Sequence, residues 1–327
     1  MNHIFHFLSE LNVEAVLFFF VLSGFSIGLA QKGKLISSKT ELHQYLHRRL
    51  KRIIPIYWLA LLLALFIGLL TNRIHQPEYS FFNFLGNLLF LQTPANATAY
   101  WFSPYGDNGP LWSLSYEVFF YLFFPAFGYL LLKIKKIYDK RFVWLLLFTI
   151  SMIAIGINKY IVFIPHFAFL SLFIVWWGGF EIATGFIIKK RNLRFWIGMA
   201  VFTLSLILAR NYFPSASFVE VCKGLWIASL LYFLLKFNEL WRSGFKNKLK
   251  LIFNLTFNRI GHGSYAIYAL HYPLLLYFSY LNLSLLQQII YTLVLILFCT
   301  ILERWIIKIH TVSKVQLYKS QNPKHFE

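Results

Sequence analysis

Apolar residues in this chain gather into long runs separated by short basic clusters, and the runs are the first elements the pattern predicts. They cover about residues 13–30, 54–70, 81–91, 112–132, 143–157, 166–188, 195–209, 219–235, 263–281 and 285–307. A helix needs roughly 20 residues to cross a hydrocarbon core. Most of the runs approach that length, and the shorter ones can borrow flanking aromatic residues as interfacial anchors. The run at 81–91 is the exception and is expected to enter the membrane without crossing it. Neither an internal repeat nor a Pro-, Gly- or Ser-rich linker divides the chain. It therefore reads as one transmembrane domain over 1–310 followed by a basic tail over 311–327, which is expected to be cytoplasmic and solvated.

The basic clusters orient the runs, because loops rich in Lys and Arg stay in the cytoplasm. One cluster, from Lys32 to Arg52, follows the first run; another, from Lys133 to Arg141, follows the fourth. Both of those runs therefore point from outside to inside, and 54–70 returns between them. Parity then leaves no full crossing for 81–91. The clusters at Lys189–Arg194, Lys236–Arg259 and Arg304–Lys324 fit the same alternation, so that only Arg73, Lys159, Arg210 and Lys223 of the 31 Lys and Arg residues fall outside. The expected fold is an all-α, polytopic transmembrane helical bundle of about nine full spans plus one re-entrant or partial span. Its first residues are expected outside and its C-terminus in the cytoplasm.

Composition agrees with this and removes other classes. With 58% hydrophobic, 20% aromatic and 13% charged residues in 327, the chain would expose too much apolar surface in water. The net charge of +19 is spread over the loops between spans, with no soluble basic domain, so nucleic acid is not an expected partner. Cys222 and Cys299 lie in apolar surroundings without metal-ligand spacing, so they point to packing, and no metal or resident cofactor is expected. The start MNHIFHFLSELN lacks the basic residues and cleavage site of a signal peptide. The lipid bilayer is the one partner composition demands; the oligomeric state is not legible.

Within the runs a few residues carry chemistry. Glu117 stands in NGPLWSLSYEVFFYLFFP, residues 108–125, roughly 7 Å below the outer surface at 1.5 Å per residue. A carboxylate at membrane depth costs about 2.5–3.5 kcal/mol on insertion scales and usually faces a cavity or a partner. Ser23 and Gly24 interrupt FFFVLSGF and would admit either a second helix or a ligand. Arg49 and Arg52, in YLHRRLKRIIPIYW, share a helical face. Their guanidinium forks suit either phosphates or lipid headgroups. His271, roughly 12 Å into its span, precedes Pro273, which removes one donor from the helix ladder. An imidazole there could move a proton, orient a substrate or simply be satisfied in the core. His3 and His6 carry little weight alone, and Glu181, Glu303 and His166 are expected to pair helices.

Taken in order, FFFVLSGF, HRRLKRIIPIYW, PLWSLSYEVFFYLFFP and SYAIYALHYPL resemble the acyltransferase 3 family of membrane acyltransferases, over about residues 1–307. The resemblance implies transfer of an acyl group, commonly acetyl, from a cytoplasmic acyl-CoA to a hydroxyl of a sugar, often in an exported or surface polysaccharide of the cell envelope. It implies a bacterial inner (plasma) membrane, with acetyl-CoA or another acyl-CoA as donor substrate and a glycan or sugar as acceptor. His6 best matches the family's essential histidine and would be the general base, with Glu117 and His271 orienting acceptor or base. Arg49 and Arg52 would hold the coenzyme phosphates, and Ser23, Gly24 and Trp112 would line the donor and acceptor path. The family's first helix, with its Arg about ten residues before the histidine, has no counterpart here. Restoring it would return the N-terminus to the cytoplasm, so a truncated or late-started chain is expected. Two other readings are a transporter or flippase, since intramembrane acids and histidines also mark transport paths, and an inactive truncated member of the family.

Overall fold

In the computed structural model the described residues are 12–93, 102–134, 140–162, 164, 167–189, 192–212, 215–241, 263–281 and 283–321. Among them every predicted run is a helix. We number these α1 Asn12–Ala30, α2 Lys39–Leu70, α3 Phe81–Leu88, α4 Trp112–Lys133, α5 Lys140–Tyr160, α6 Ala168–Ile187, α7 Leu193–Leu208, α8 Ala216–Trp241, α9 Ser264–Ser279 and α10 Leu285–Gln321. Among the described residues, seven helices are long and apolar enough to cross a membrane. Two more, α7 and α9, have 16 residues each, about 24 Å of helix. The chain is an all-α polytopic membrane protein. α2 starts well before the apolar run because YLHRRLKR is composed largely of good helix formers with no breaker before Pro55. α10 likewise continues as helix to Gln321.

The chain forms two compact units. The first comprises 1–44, 96–100 and 113–244, and α6 is its centre. α6 is apolar on all sides, as a fully surrounded helix should be. Helices in lipid associate through close packing rather than through the hydrophobic effect, and α1 and α6 pack through glycines on both sides. A Cβ on Gly24 would stand 1.9 Å from the Trp176 carbonyl oxygen, and one on Gly179 would stand 1.9 Å from that of Val21. On another side of α6, Phe120, Phe124 and Phe127 of α4 interleave with Phe173, Trp176, Trp177 and Phe180, with ring centroids 5.0–6.3 Å apart in the closest pairs. Lys223 pairs with Glu14 and Lys140 with Glu181. Glu181 thus ties α6 to α5, the pairing expected for it, while His166 lies outside the described residues.

The second unit comprises 45–95, 101–112 and 245–327. Its distinctive part is the polar segment between α2 and α4. Eight residues of α3 reach only about 12 Å, too short to cross. Yet Tyr57, roughly 20 Å from the Leu70 end of α2, donates to the Asn87 carbonyl oxygen at 2.7 Å. The segment therefore runs deep alongside α2 and returns, which is re-entrant geometry. Irregular backbone at such depth persists only if its polar groups find partners within the protein, and side chains supply them. Asn87 Nδ2 donates to the carbonyl oxygens of Ser103 (2.8 Å) and Asn83 (2.9 Å), while its Oδ1 accepts from Tyr105 N at 3.0 Å. Gln92 Nε2 donates to the Leu111 carbonyl oxygen at 2.9 Å. The return limb turns through Gly106, whose φ of +62° and closeness to Ala64 leave no room for a side chain. Near that turn Arg73 pairs with Asp107 at 3.4 Å.

α9 and α10 close this unit. Gly263 abuts Thr300, and the buried Glu303 carboxylate accepts from Ala266 N at 3.0 Å, capping the first turn of α9. The acid expected to pair helices does so through the backbone. Cys222 and Cys299 are buried and free.

Candidate functional site

The sequence candidates form two centres, one in each unit. In the first unit the centre is Glu117, 5% exposed in the membrane interior. Ser23 Oγ donates to Glu117 Oε1 at 2.9 Å, and the Tyr121 hydroxyl donates to the same oxygen. Trp176 Nε1 donates in turn to Ser23 Oγ at 3.1 Å. Three helices therefore meet at one carboxylate: α4 supplies Glu117 and Tyr121, α1 supplies Ser23, and α6 supplies Trp176. Two donors thus satisfy one oxygen of a carboxyl group that is shut off from solvent. They also fix its rotamer. Gly24, next to Ser23, faces α6, and its open side is occupied by the Trp176 carbonyl. Of the small pair, the hydroxyl serves the polar centre and the glycine serves the helix contact.

Tyr121 and Trp176 were not singled out in the sequence. Tyr121 follows Glu117 by one helical turn, so the i, i+4 rule was available to find it. Nothing in the sequence joins Trp176 to Ser23 across 153 positions.

In the second unit the centre is the turn 108–110 docked on α9. Pro273 cannot donate to the carbonyl of Ala269, the group four residues before it. Asn108 Nδ2 donates to that carbonyl instead, at 3.2 Å, and the Tyr268 hydroxyl donates to the Pro110 carbonyl oxygen. The motifs around PLW and HYP thus meet by filling the gap that the proline opens. His271 sits at the same break. Its Nδ1 lies 2.8 Å from the Tyr268 carbonyl oxygen and 3.1 Å from that of Ile267. Carbonyls only accept, so Nδ1 carries the proton, and in neutral imidazole Nε2 is the basic nitrogen. Three further polar atoms of this unit are buried with no hydrogen-bond partner among the described residues: Asn108 Oδ1, Thr93 Oγ1 and the Tyr79 hydroxyl.

Arg49 and Arg52 lie on one face of α2; Arg49 is half-buried, with its guanidinium carbon 5.9 Å from the centre of the Tyr45 ring, and Arg52 is exposed. Trp112 is half-buried at the first position of α4. His6 and His3 lie outside the described residues.

A family model described as an acyltransferase domain, that of the acyltransferase 3 family, matches residues 3–304. No curated protein and no solved structure matches the chain.

Proposed function

The chain belongs to the acyltransferase 3 family, and on that premise we propose that it is a membrane O-acyltransferase carrying an acyl group, acetyl in the expected case, from cytoplasmic acyl-CoA to a sugar hydroxyl. The observation that carries the reaction class is the family match across nearly the whole chain. The chain is an integral membrane protein with the acyl donor and acceptor that this family uses. The finer reading places it in a bacterial inner membrane, with its C-terminus in the cytoplasm and its acceptor in an exported or surface glycan.

In this reading Arg49 and Arg52 hold the coenzyme phosphates, for which paired guanidinium groups are suited. A base takes the proton of the acceptor hydroxyl as its oxygen attacks the thioester carbonyl. The carbon–sulfur bond then breaks, the acyl ester forms, and the coenzyme thiolate leaves and takes up that proton. His6 is the base in the family pattern. His271 is oriented for a related task, because its Nδ1–H is held by the Tyr268 carbonyl and its Nε2 is left to accept from a hydroxyl. Glu117, its carboxyl held in place by Ser23 and Tyr121, orients the acceptor or the base. Trp112 and Ser23 border the path of the substrates.

The test is transfer of label from acetyl-CoA to envelope glycans in membranes carrying this chain or an upstream-extended form. Labelled glycan that disappears with His6→Ala supports the reading. No transfer by either form, together with substrate flux across vesicles, would replace it with transport, the reading that a re-entrant segment and a proline-broken helix would otherwise suit.

A further inference from the structure

At one end of the first unit, where α5 begins, α6 ends and α7 begins, lies a cavity of about 490 Å³. Lys140, Arg141 and Lys189 line it together with the rings of Trp144, Trp196 and Tyr232. The rings form a fixed wall: Trp196 stacks on Tyr232 with centroids 5.5 Å apart, and Trp144 meets Trp196 edge-on at 6.2 Å. The one acidic residue of the lining, Glu181, is already paired with Lys140, which leaves the wall with a positive balance. A smaller cavity of about 140 Å³ shares Lys140, Trp144 and Glu181 with it and is otherwise mainly apolar, bounded by Leu131, Val143 and Trp177 among others. Trp177 is 4% exposed, and its indole N–H has no hydrogen-bond partner among the described residues. A buried donor left over in this way is uncommon and points to an acceptor arriving from elsewhere. Loop cations that merely anchor a protein at the membrane surface need neither a cavity nor an aromatic wall.

We infer that these adjoining cavities bind an amphiphile with a phosphate head and a flexible arm that carries a carbonyl. The phosphate meets Lys189, Arg141 and Lys140 in the larger cavity. The apolar arm enters the smaller one, and its ester or amide oxygen accepts from Trp177. Two compounds share this chemistry, an anionic glycerophospholipid and coenzyme A with its pantetheine amides. The lipid alternative stands apart from the proposed acyl transfer. The coenzyme A alternative rests on that reading and would place the donor phosphates here instead of at Arg49 and Arg52. Binding is measured without turnover, so its failure leaves the transfer assay untouched.

The full chain in detergent would be titrated by native mass spectrometry with phosphatidylglycerol, with coenzyme A, and with phosphatidylcholine as a zwitterionic control. Saturable binding of one anionic probe is expected, weakened about tenfold in Lys189→Ala and again in Arg141→Ala, as for loss of a charge-assisted hydrogen bond. Lys189 is exposed on a turn, and Lys189→Arg should restore binding. Trp177→Phe, which keeps the ring and removes the N–H, should weaken binding several-fold. Phosphatidylglycerol as the sensitive probe assigns a lipid site; coenzyme A assigns a donor site. The inference is overturned if phosphatidylcholine binds equally well, if the Lys189 and Arg141 variants bind as the parent does, or if coenzyme A responds to Arg49→Ala alone.

Discussion

The two units hold polar groups at membrane depth in different ways. Around Glu117 the helices are continuous and the polar atoms belong to side chains, so Ser23, Tyr121 and Trp176 close on the carboxylate and leave it buried. Around His271 the backbone itself is opened, by Pro273 in α9 and by the re-entrant turn after α3. Asn87, Gln92 and Asn108 are used to satisfy main-chain groups. The first arrangement fixes one carboxyl among side-chain donors. The second leaves Asn108 Oδ1, Thr93 Oγ1 and the Tyr79 hydroxyl without a partner among the described residues, which is the condition a polar substrate needs. Depth is common to both; what differs is whether side chains serve one another or the backbone.

Four experiments would break or sharpen that contrast. Gly179→Leu should have the largest effect, because it drives a side chain into the Val21 carbonyl and separates α1 from α6. Overpacking ordinarily costs about 1–3 kcal/mol, and a clash with backbone exceeds that range. Little folded protein should survive size-exclusion in detergent, and a normal monodisperse yield would show that the glycine contact is dispensable. His271→Asn keeps a donor near the Tyr268 carbonyl but removes the basic nitrogen. Acyl transfer should fall by about 10²–10⁴-fold with the folded yield unchanged; parent-like rates would reduce His271 to a structural cap. Glu117→Gln keeps shape and hydrogen bonds while removing charge, and a loss of about 10²-fold in rate is expected if it fixes the geometry of the reacting groups. Wild-type rates would make the centre around it purely structural. Asn87→Ala should be the mildest for chemistry and act on stability, since it leaves buried backbone groups of the hairpin without partners at about 1–3 kcal/mol each. A lowered melting temperature would be the readout, and an unchanged one would mean that the hairpin draws its support from elsewhere.

Much of the fold was legible because membrane spans are written in composition. Each predicted run became a helix, 81–91 became the short one, and α2 exceeded its run only where charged helix formers extend it beyond the apolar stretch. The site was legible residue by residue rather than as a set. Glu117 stood out because a carboxylate in an apolar run is costly, and Ser23 because a small polar residue interrupts large ones. Their bond, 94 positions apart in sequence, was not foreseeable.

The sequence by itself determined the solvent, the number and place of the apolar helices, the residues worth suspecting and the family they resemble, because transfer energies and spacing are local properties. Tertiary structure decided the partners. Only the meeting of α1, α4 and α6 holds the Glu117 carboxyl in place, and only the docking of Asn108 on the carbonyl freed by Pro273 joins two motifs 161 positions apart. Hydrogen bonds need distances and angles that no local pattern contains.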